Sequence, residues 1–167
     1  PRLLRRPLLH AIYGFLTLKN GVPIGYVLAS ALFEHAEVAY NTFETYRGGE
    51  TAQTFARVLA MSHHLFAAET FSIDPYQLGY GNKEGLASGA WWFYYKLGFR
   101  PQDPEVRRVL RGELRAMRAN PGHRSSVSIL KKLAAEHLFF DRRRAGRTAA
   151  RGRGRTQDVL GLLPLWN

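Results

Sequence analysis

One stretch, residues 38–71, limits what this chain can fold into. Residues 38–45 are rich in aromatic and β-branched side chains, the composition of a strand. Tyr46-Arg47-Gly48-Gly49 interrupts them. Across residues 50–67, Ala52, Phe55, Ala56, Leu59 and Phe66 recur at helical spacing, with Val58, Met61 and Leu65 beside them. Phe71-Ser72-Ile73 then resumes an extended pattern. Strand, glycine turn, helix and strand make a β-α-β unit, whose strands run parallel across a right-handed crossover. Two glycines at such a junction leave backbone N–H groups uncovered and let an anion come close. Arg47 adds a fixed positive charge at the same mouth. The chemistry suits a phosphate or pyrophosphate; glycines that serve only to turn the chain are the competing reading.

Upstream, residues 10–18 form an apolar, aromatic run, and Lys19-Asn20-Gly21 supplies the asparagine–glycine turn of a tight hairpin. Residues 22–33 are the returning strand, with Pro23 near its entry, where a missing N–H is tolerated. Glu34-His35-Ala36-Glu37 breaks the chain again. Three strands with short connections predict an antiparallel meander. The steady apolar character of the second strand predicts burial on both faces, with helices covering the sheet. A meander feeding a β-α-β unit gives the expected fold class, α/β or α+β, with a mixed, mostly antiparallel sheet flanked by helices.

Downstream, residues 75–85 read as a polar, glycine-rich loop. Residues 86–97 read as one helix with Ala87, Ala90, Trp91, Tyr94 and Leu97 on one face. Ser88 is a candidate cap, Gly98 a left-handed terminator and Phe99 a residue that folds back on the last turn. Asp103-Pro104 is an N-cap followed by a proline in the first helical position. The helix after it turns Val106, Val109, Leu110, Leu114 and Met117 one way and Arg107, Arg108, Arg111, Arg115 and Arg118 the other. That arginine face is a solvated surface with the charge to bind phosphate. Ser125 or Ser126 starts a further helix carrying Leu130, Leu133, Ala134, His137 and Leu138, so residues 102–140 should form a helical hairpin packed on a core of residues 1–101. Residues 142–158 are mostly arginine, glycine, alanine and threonine, which predicts disorder for the basic tail 141–167. The apolar residues 159–166 could dock on the domain.

Composition narrows the function classes. The 167 residues are 46% hydrophobic and 13% aromatic, enough for one domain with a real core. Without a cysteine the chain has no thiolate nucleophile, disulfide framework or cysteine–zinc site, which fits a reducing, cytoplasmic setting. No apolar run spans a bilayer, and residues 1–9 lack the long apolar centre of a signal peptide, so no membrane partner is expected. The chain has no initiating methionine and reads as a piece of something longer. Its net charge is +11, but residues 142–155 hold seven arginines, and residues 1–141 carry 17 basic and 12 acidic groups, a net of +5. The globular part suits an anionic ligand; the tail is the argument for a nucleic-acid partner through residues 142–155.

Two motifs in this order resemble the N-acetyltransferase superfamily related to the Gcn5 enzymes (the GNAT, or acyl-CoA N-acyltransferase, fold). The turn Arg47-Gly48-Gly49 is similar to the family's Arg/Gln-x-x-Gly-x-Gly/Ala turn, in compressed form. Ala90-Trp91-Trp92-Phe93-Tyr94-Tyr95-Lys96-Leu97-Gly98-Phe99 is similar to its Ala-x-x-Phe-Tyr-x-Lys-Leu-Gly-Phe segment. The resemblance covers roughly residues 10–101; the family's opening strand and helices are missing. After Pro101 the family continues with strands, where this chain reads as a helical extension.

The resemblance implies direct acetyl transfer from acetyl-CoA to an amine through a tetrahedral intermediate. That reaction needs the thioester held, the amine deprotonated, the oxyanion stabilised and the leaving thiolate protonated. No covalent nucleophile is needed, and no metal is expected. By resemblance, Arg47, Gly48, Gly49 and Glu50 hold the cofactor pyrophosphate. Tyr94 protonates the departing sulfur, with Tyr95 as fallback, and Glu44 is the general base acting through water, with Asp74 second. The competing readings are a core aromatic for Tyr94, compatible with the catalytic role, and a surface carboxylate at the sheet end for Glu44. Asn82 lies at the wrong spacing for the family's asparagine, a position that Ala87 fills, and reads as a turn residue. His63 and His64 point about 100° apart on a helix, one packed and one exposed. The alternative reading is a non-catalytic module with the same fold in a larger protein.

Overall fold

The computed structural model describes residues 11–48 and 50–145. The strands are β1 (Ile12–Lys19), β2 (Val22–Leu32), β3 (His35–Thr42), β4 (Thr70–Ile73), β5 (Arg100–Pro101) and β6 (Leu138–Asp141). The helices are α1 (Thr51–Phe66), α2 (Pro75–Leu78), α3 (Lys83–Ser88), α4 (Ala90–Lys96), α5 (Pro104–Ala119) and α6 (Val127–Leu133). The strands follow the order β1-β2-β3-β4-β6-β5 in a mixed sheet flanked by helices, so the chain is α+β. No helix among the described residues is long and apolar enough to cross a membrane. Among the described residues the chain divides into two compact units, one of residues 11–71 with 141–145 and the other of Ser72–Phe140.

In the first unit the meander forms as its turns require. Asn20 and Gly21 take φ of 50° and 79°, the paired left-handed residues that a two-residue hairpin needs to match strand twist. β1 pairs antiparallel with β2, Ile12 opposite Ser30, with an irregularity between Thr17 and Leu18; β2 pairs antiparallel with β3, Gly25 opposite Thr42. Gly25 is a packing requirement, since a Cβ there would sit 2.2 Å from the Asn41 carbonyl oxygen. The expectation that β2 is buried on both faces fails. Val27 and Ala29 are sealed, while Tyr26 and Leu28 on the opposite face are 40% and 41% exposed. Apolar residues on a strand's outer face are common, because polar side chains are too few to cover a protein surface.

α1 matches its periodicity. Phe55, Ala56, Val58 and Leu59 are buried, the Phe55 ring lies 5.3 Å from Tyr40 on β3, and Phe66 lies 4.6 Å from Tyr13 on β1. Leu65, assigned to the edge of the apolar stripe, is exposed, and Ser62 is buried with its hydroxyl donating 2.9 Å to the Val58 carbonyl. Ala67 closes the helix in the left-handed conformation at φ 54°. Residues 142–145, assigned by composition to the basic tail, are helical. The rest of that tail lies outside the described residues.

The second unit departs more from expectation. Residues 75–85 are not one loop. Asp74 caps α2, accepting from Tyr76 N–H at 2.7 Å, and Asn82 caps α3, accepting from Gly85 N–H at 3.1 Å. Asn82 therefore starts a helix; Asx residues favour turns and caps for the same reason, a short side chain that reaches nearby N–H groups. The single helix over residues 86–97 is two helices broken at Gly89, whose φ of 68° ends α3 and starts α4. Ser88 caps nothing; its hydroxyl donates to the Gly85 carbonyl at 3.2 Å, and Ala87 is exposed. Gly98 and Phe99 do behave as read, with Gly98 at φ 100° and Phe99 N–H returning to the Tyr94 carbonyl at 3.2 Å.

The reading of residues 102–140 as purely helical is also corrected. Asp103 caps α5 as predicted, accepting from Val106 N–H at 2.9 Å, and Ser126 caps α6 at 3.3 Å. α6 stops at Leu133, however, and Leu138 begins β6, which pairs antiparallel with β5 through Pro101 and Leu138. A two-residue strand such as β5 is too short to announce itself by alternation. Trp91, Phe99, Leu133, Leu138 and Leu78 are the fully buried centre of this unit.

Candidate functional site

The two motifs occupy different surroundings. In the first unit, β3 ends at Thr42 and the chain makes a short 3-10 turn, Glu44–Tyr46, before α1. Glu44, expected near the end of the strand, lies in that turn, exposed to solvent, and its carbonyl accepts from Arg47 N–H at 3.2 Å. The exposed Arg47 folds its Nε back to donate to the Thr42 carbonyl at 3.1 Å. Gly48 and Thr51 exchange bonds across the junction. Gly48 N–H donates to Thr51 Oγ1 at 3.2 Å, and Thr51 N–H donates to the Gly48 carbonyl at 3.1 Å. Gly49 lies outside the described residues.

Glu50 is the N-cap residue of α1, yet its side chain makes no capping bond. It reaches Lys19 on β1 at 2.5 Å, and that hydrogen bond and charge hold its carboxyl below the usual range. The acid beside the glycines stays ionised and is paired with Lys19, and its side chain does not cap the N-terminal turn of the 16-residue helix, whose dipole favours an anion. Space is open at Gly48, where nothing lies within 4 Å of an added Cβ. One guanidinium, an uncapped helix start and an open glycine fit a phosphate in kind. Thr51 Oγ1 is the group a ligand oxygen would replace at Gly48 N–H.

In the second unit, α4 presents its motif inward. Tyr94 is 3% exposed and packs edge-on to Phe93 at 5.2 Å and to Phe99 at 5.9 Å. Trp91 is sealed, with Tyr95 stacked on it at 5.3 Å and Trp92 edge-on at 4.8 Å. The Arg100 guanidinium lies 4.1 Å over the Tyr95 ring and donates to the Tyr95 and Phe99 carbonyls; burial lowers its pKa. Asp74, the second choice for base, holds Tyr76 N–H and lies 3.7 Å from His137 Nε2. On α1, His63 Nδ1 sits 3.0 Å from the Ala68 carbonyl and His64 is exposed. The five arginines of the α5 face are exposed.

One cluster escaped the sequence reading. Glu113 on α5 is 8% exposed and sits on the apolar side of the helix. Its Oε2 accepts from the Ser125 hydroxyl at 2.6 Å and lies 3.0 Å from His123 Nε2, while Trp92 Nε1 donates to Ser125 Oγ at 3.1 Å. Burial pushes this carboxyl up, but the Ser125 and His123 hydrogen bonds and the His123 charge outweigh it and hold it low. Both donors meet one carboxylate oxygen, and no imidazole stands between Ser125 and the acid, so the arrangement is not a nucleophile–base–acid relay. It is a polar lock that ties the loop after α5 to α4. The available signal was Glu113 falling within the stripe formed by Val106, Val109, Leu110, Leu114 and Met117.

Glu44 belongs to the first unit and Tyr94 to the second. A comparison with family models finds no match for this chain, and a comparison with curated proteins finds none.

Proposed function

We propose that this chain is an acyl-CoA-dependent N-acyltransferase domain that binds acetyl-CoA through the junction before α1. The observation that carries the reading is the start of that helix. Its cap carboxylate is drawn away to Lys19, Gly48 stands open, and Arg47 supplies a cation beside it. Strand β6 adds support, since the resemblance implies strands after Pro101.

Arg47 and the amides of Gly48, Gly49 and Glu50 would hold the pyrophosphate, and the bound thioester would supply the acetyl group. The acceptor nitrogen forms its bond to the carbonyl carbon and the C–S bond breaks. By the resemblance, Glu44 would take the amine proton through water, and Tyr94 would return a proton to the sulfur. A tyrosine, with an ordinary pKa of about 10, is a suitable acid for a thiolate.

Calorimetric titration with acetyl-CoA tests the cofactor site. Arg47→Gln is expected to weaken binding about tenfold, the loss of one charge-assisted bond of about 1.4 kcal/mol. Equal affinity in the variant and the parent removes the junction from the reading. The burial of Tyr94 favours a second reading, a module of this kind that binds the cofactor without transferring the acyl group. Acetyl-CoA binding with no transfer to any amine in a broad acceptor screen would select it.

A further inference from the structure

The head of the arginine-rich segment is held by two carboxylates of the first unit. Glu34 lies in the β2–β3 turn and Glu69 in the connection from α1 to β4. The backbone sets them together, since Glu69 N–H and Thr70 N–H donate to the Glu34 carbonyl at 2.7 and 3.0 Å. Arg142 N–H donates to the Glu69 carbonyl at 3.0 Å, and its guanidinium grips the Glu69 carboxylate with two prongs at 3.0 and 3.1 Å. Arg143 lies between the acids, 2.9 Å from Glu34 Oε1 and 3.6 Å from Glu69 Oε2. His63 Nδ1 stands 3.7 Å from Glu69 Oε1.

These two arginines are the first of seven in residues 142–155. Arginine forks match phosphate oxygens, and their planes stack on bases. Glycine, alanine and threonine, and no bulky apolar side chain, separate these arginines, which suits a nucleic-acid strand; the apolar residues begin only at 159, and a lipid surface is an outcome of the test below.

We propose that Glu34 and Glu69 form an acidic clamp that competes with single-stranded nucleic acid for Arg142 and Arg143. A guanidinium seated two-pronged on a carboxylate cannot offer the same fork to a phosphate. The clamp therefore lowers apparent affinity by the fraction of time it is closed, and opening it adds two phosphate contacts.

The test is fluorescence anisotropy of the full chain with a labelled oligothymidylate across a salt series. Glu34→Gln and Glu69→Gln are expected to tighten binding severalfold. Glu69→Gln should also steepen the slope of log K against log salt by about 1.4, the share of two single-strand phosphates. Adding R142Q and R143Q to the Glu69→Gln chain should abolish the gain. Glu34 is exposed, so its variant reports even if the Glu69 variant loosens the fold. The proposal is overturned if both glutamate variants bind like the parent. It is equally overturned if none of the chains binds the oligonucleotide, if the gain survives loss of both arginines, or if only anionic vesicles bind.

Discussion

The start of α1 and the start of α4 each carry a motif of the same resemblance, and their environments are opposite. At α1 the distinctive residues, Arg47 and Gly48, face solvent, and they bond to the Thr42 carbonyl and the Thr51 hydroxyl. At α4 they face inward, with Trp91 and Tyr94 enclosed by rings. A motif on an open junction can serve a ligand at little cost to the fold. A motif made of aromatic side chains serves the core first, because each ring buries a large apolar area.

The sharpest way to break this contrast is at α4. Trp91→Ala should cost about 3–5 kcal/mol, as for a large buried aromatic, read as a lower urea midpoint. A loss below about 1 kcal/mol would mean that α4 is not the centre of its unit. Next comes the lock beneath Trp92. Glu113→Ala leaves the Ser125 and His123 donors without their acceptor and should cost about 1–3 kcal/mol. Because the folded Glu113 pKa is lowered, its stabilisation is complete above the unfolded value near 4.3 and fades as pH falls through the folded value. Denaturation from neutral pH down to about pH 3 should show Glu113→Ala losing less stability than the parent over that acid window. Parallel curves would remove the carboxylate from that role.

The smallest effect belongs to α1. Thr51→Val removes the hydroxyl that Gly48 N–H holds and should lower stability by about 1 kcal/mol, while freeing that amide for an anion. Tighter acetyl-CoA binding in this variant would sharpen the contrast, and weaker binding would make Thr51 part of the site rather than its occupant.

How much could be read beforehand follows the range of the interactions. The asparagine–glycine hairpin, the span of α1 and the Asp103-Pro104 start of α5 were legible because each rests on local geometry and spacing. Gly89 was not, since glycine inside an apolar pattern is ambiguous until the backbone turns left-handed. Glu113 was not, because a carboxylate on an apolar face is tolerable only when partners 10 and 12 residues away arrive to bond it. Leu138 fits a helical register by number, yet it belongs to a strand because Pro101 pairs with it.

What the amino-acid order determined alone is therefore a set of local elements: the Asn20-Gly21 turn, the Asp103 cap, the apolar stripes of α1 and α5, and the arginine density after residue 141. The tertiary structure decided which face of β2 is covered, that Tyr94 is sealed, and that Arg142 meets Glu69 across 73 residues of chain. Local signals act through neighbours a few bonds apart, which every conformation of the chain retains. Burial and ion pairing depend on segments distant in sequence, which come together only in the folded state.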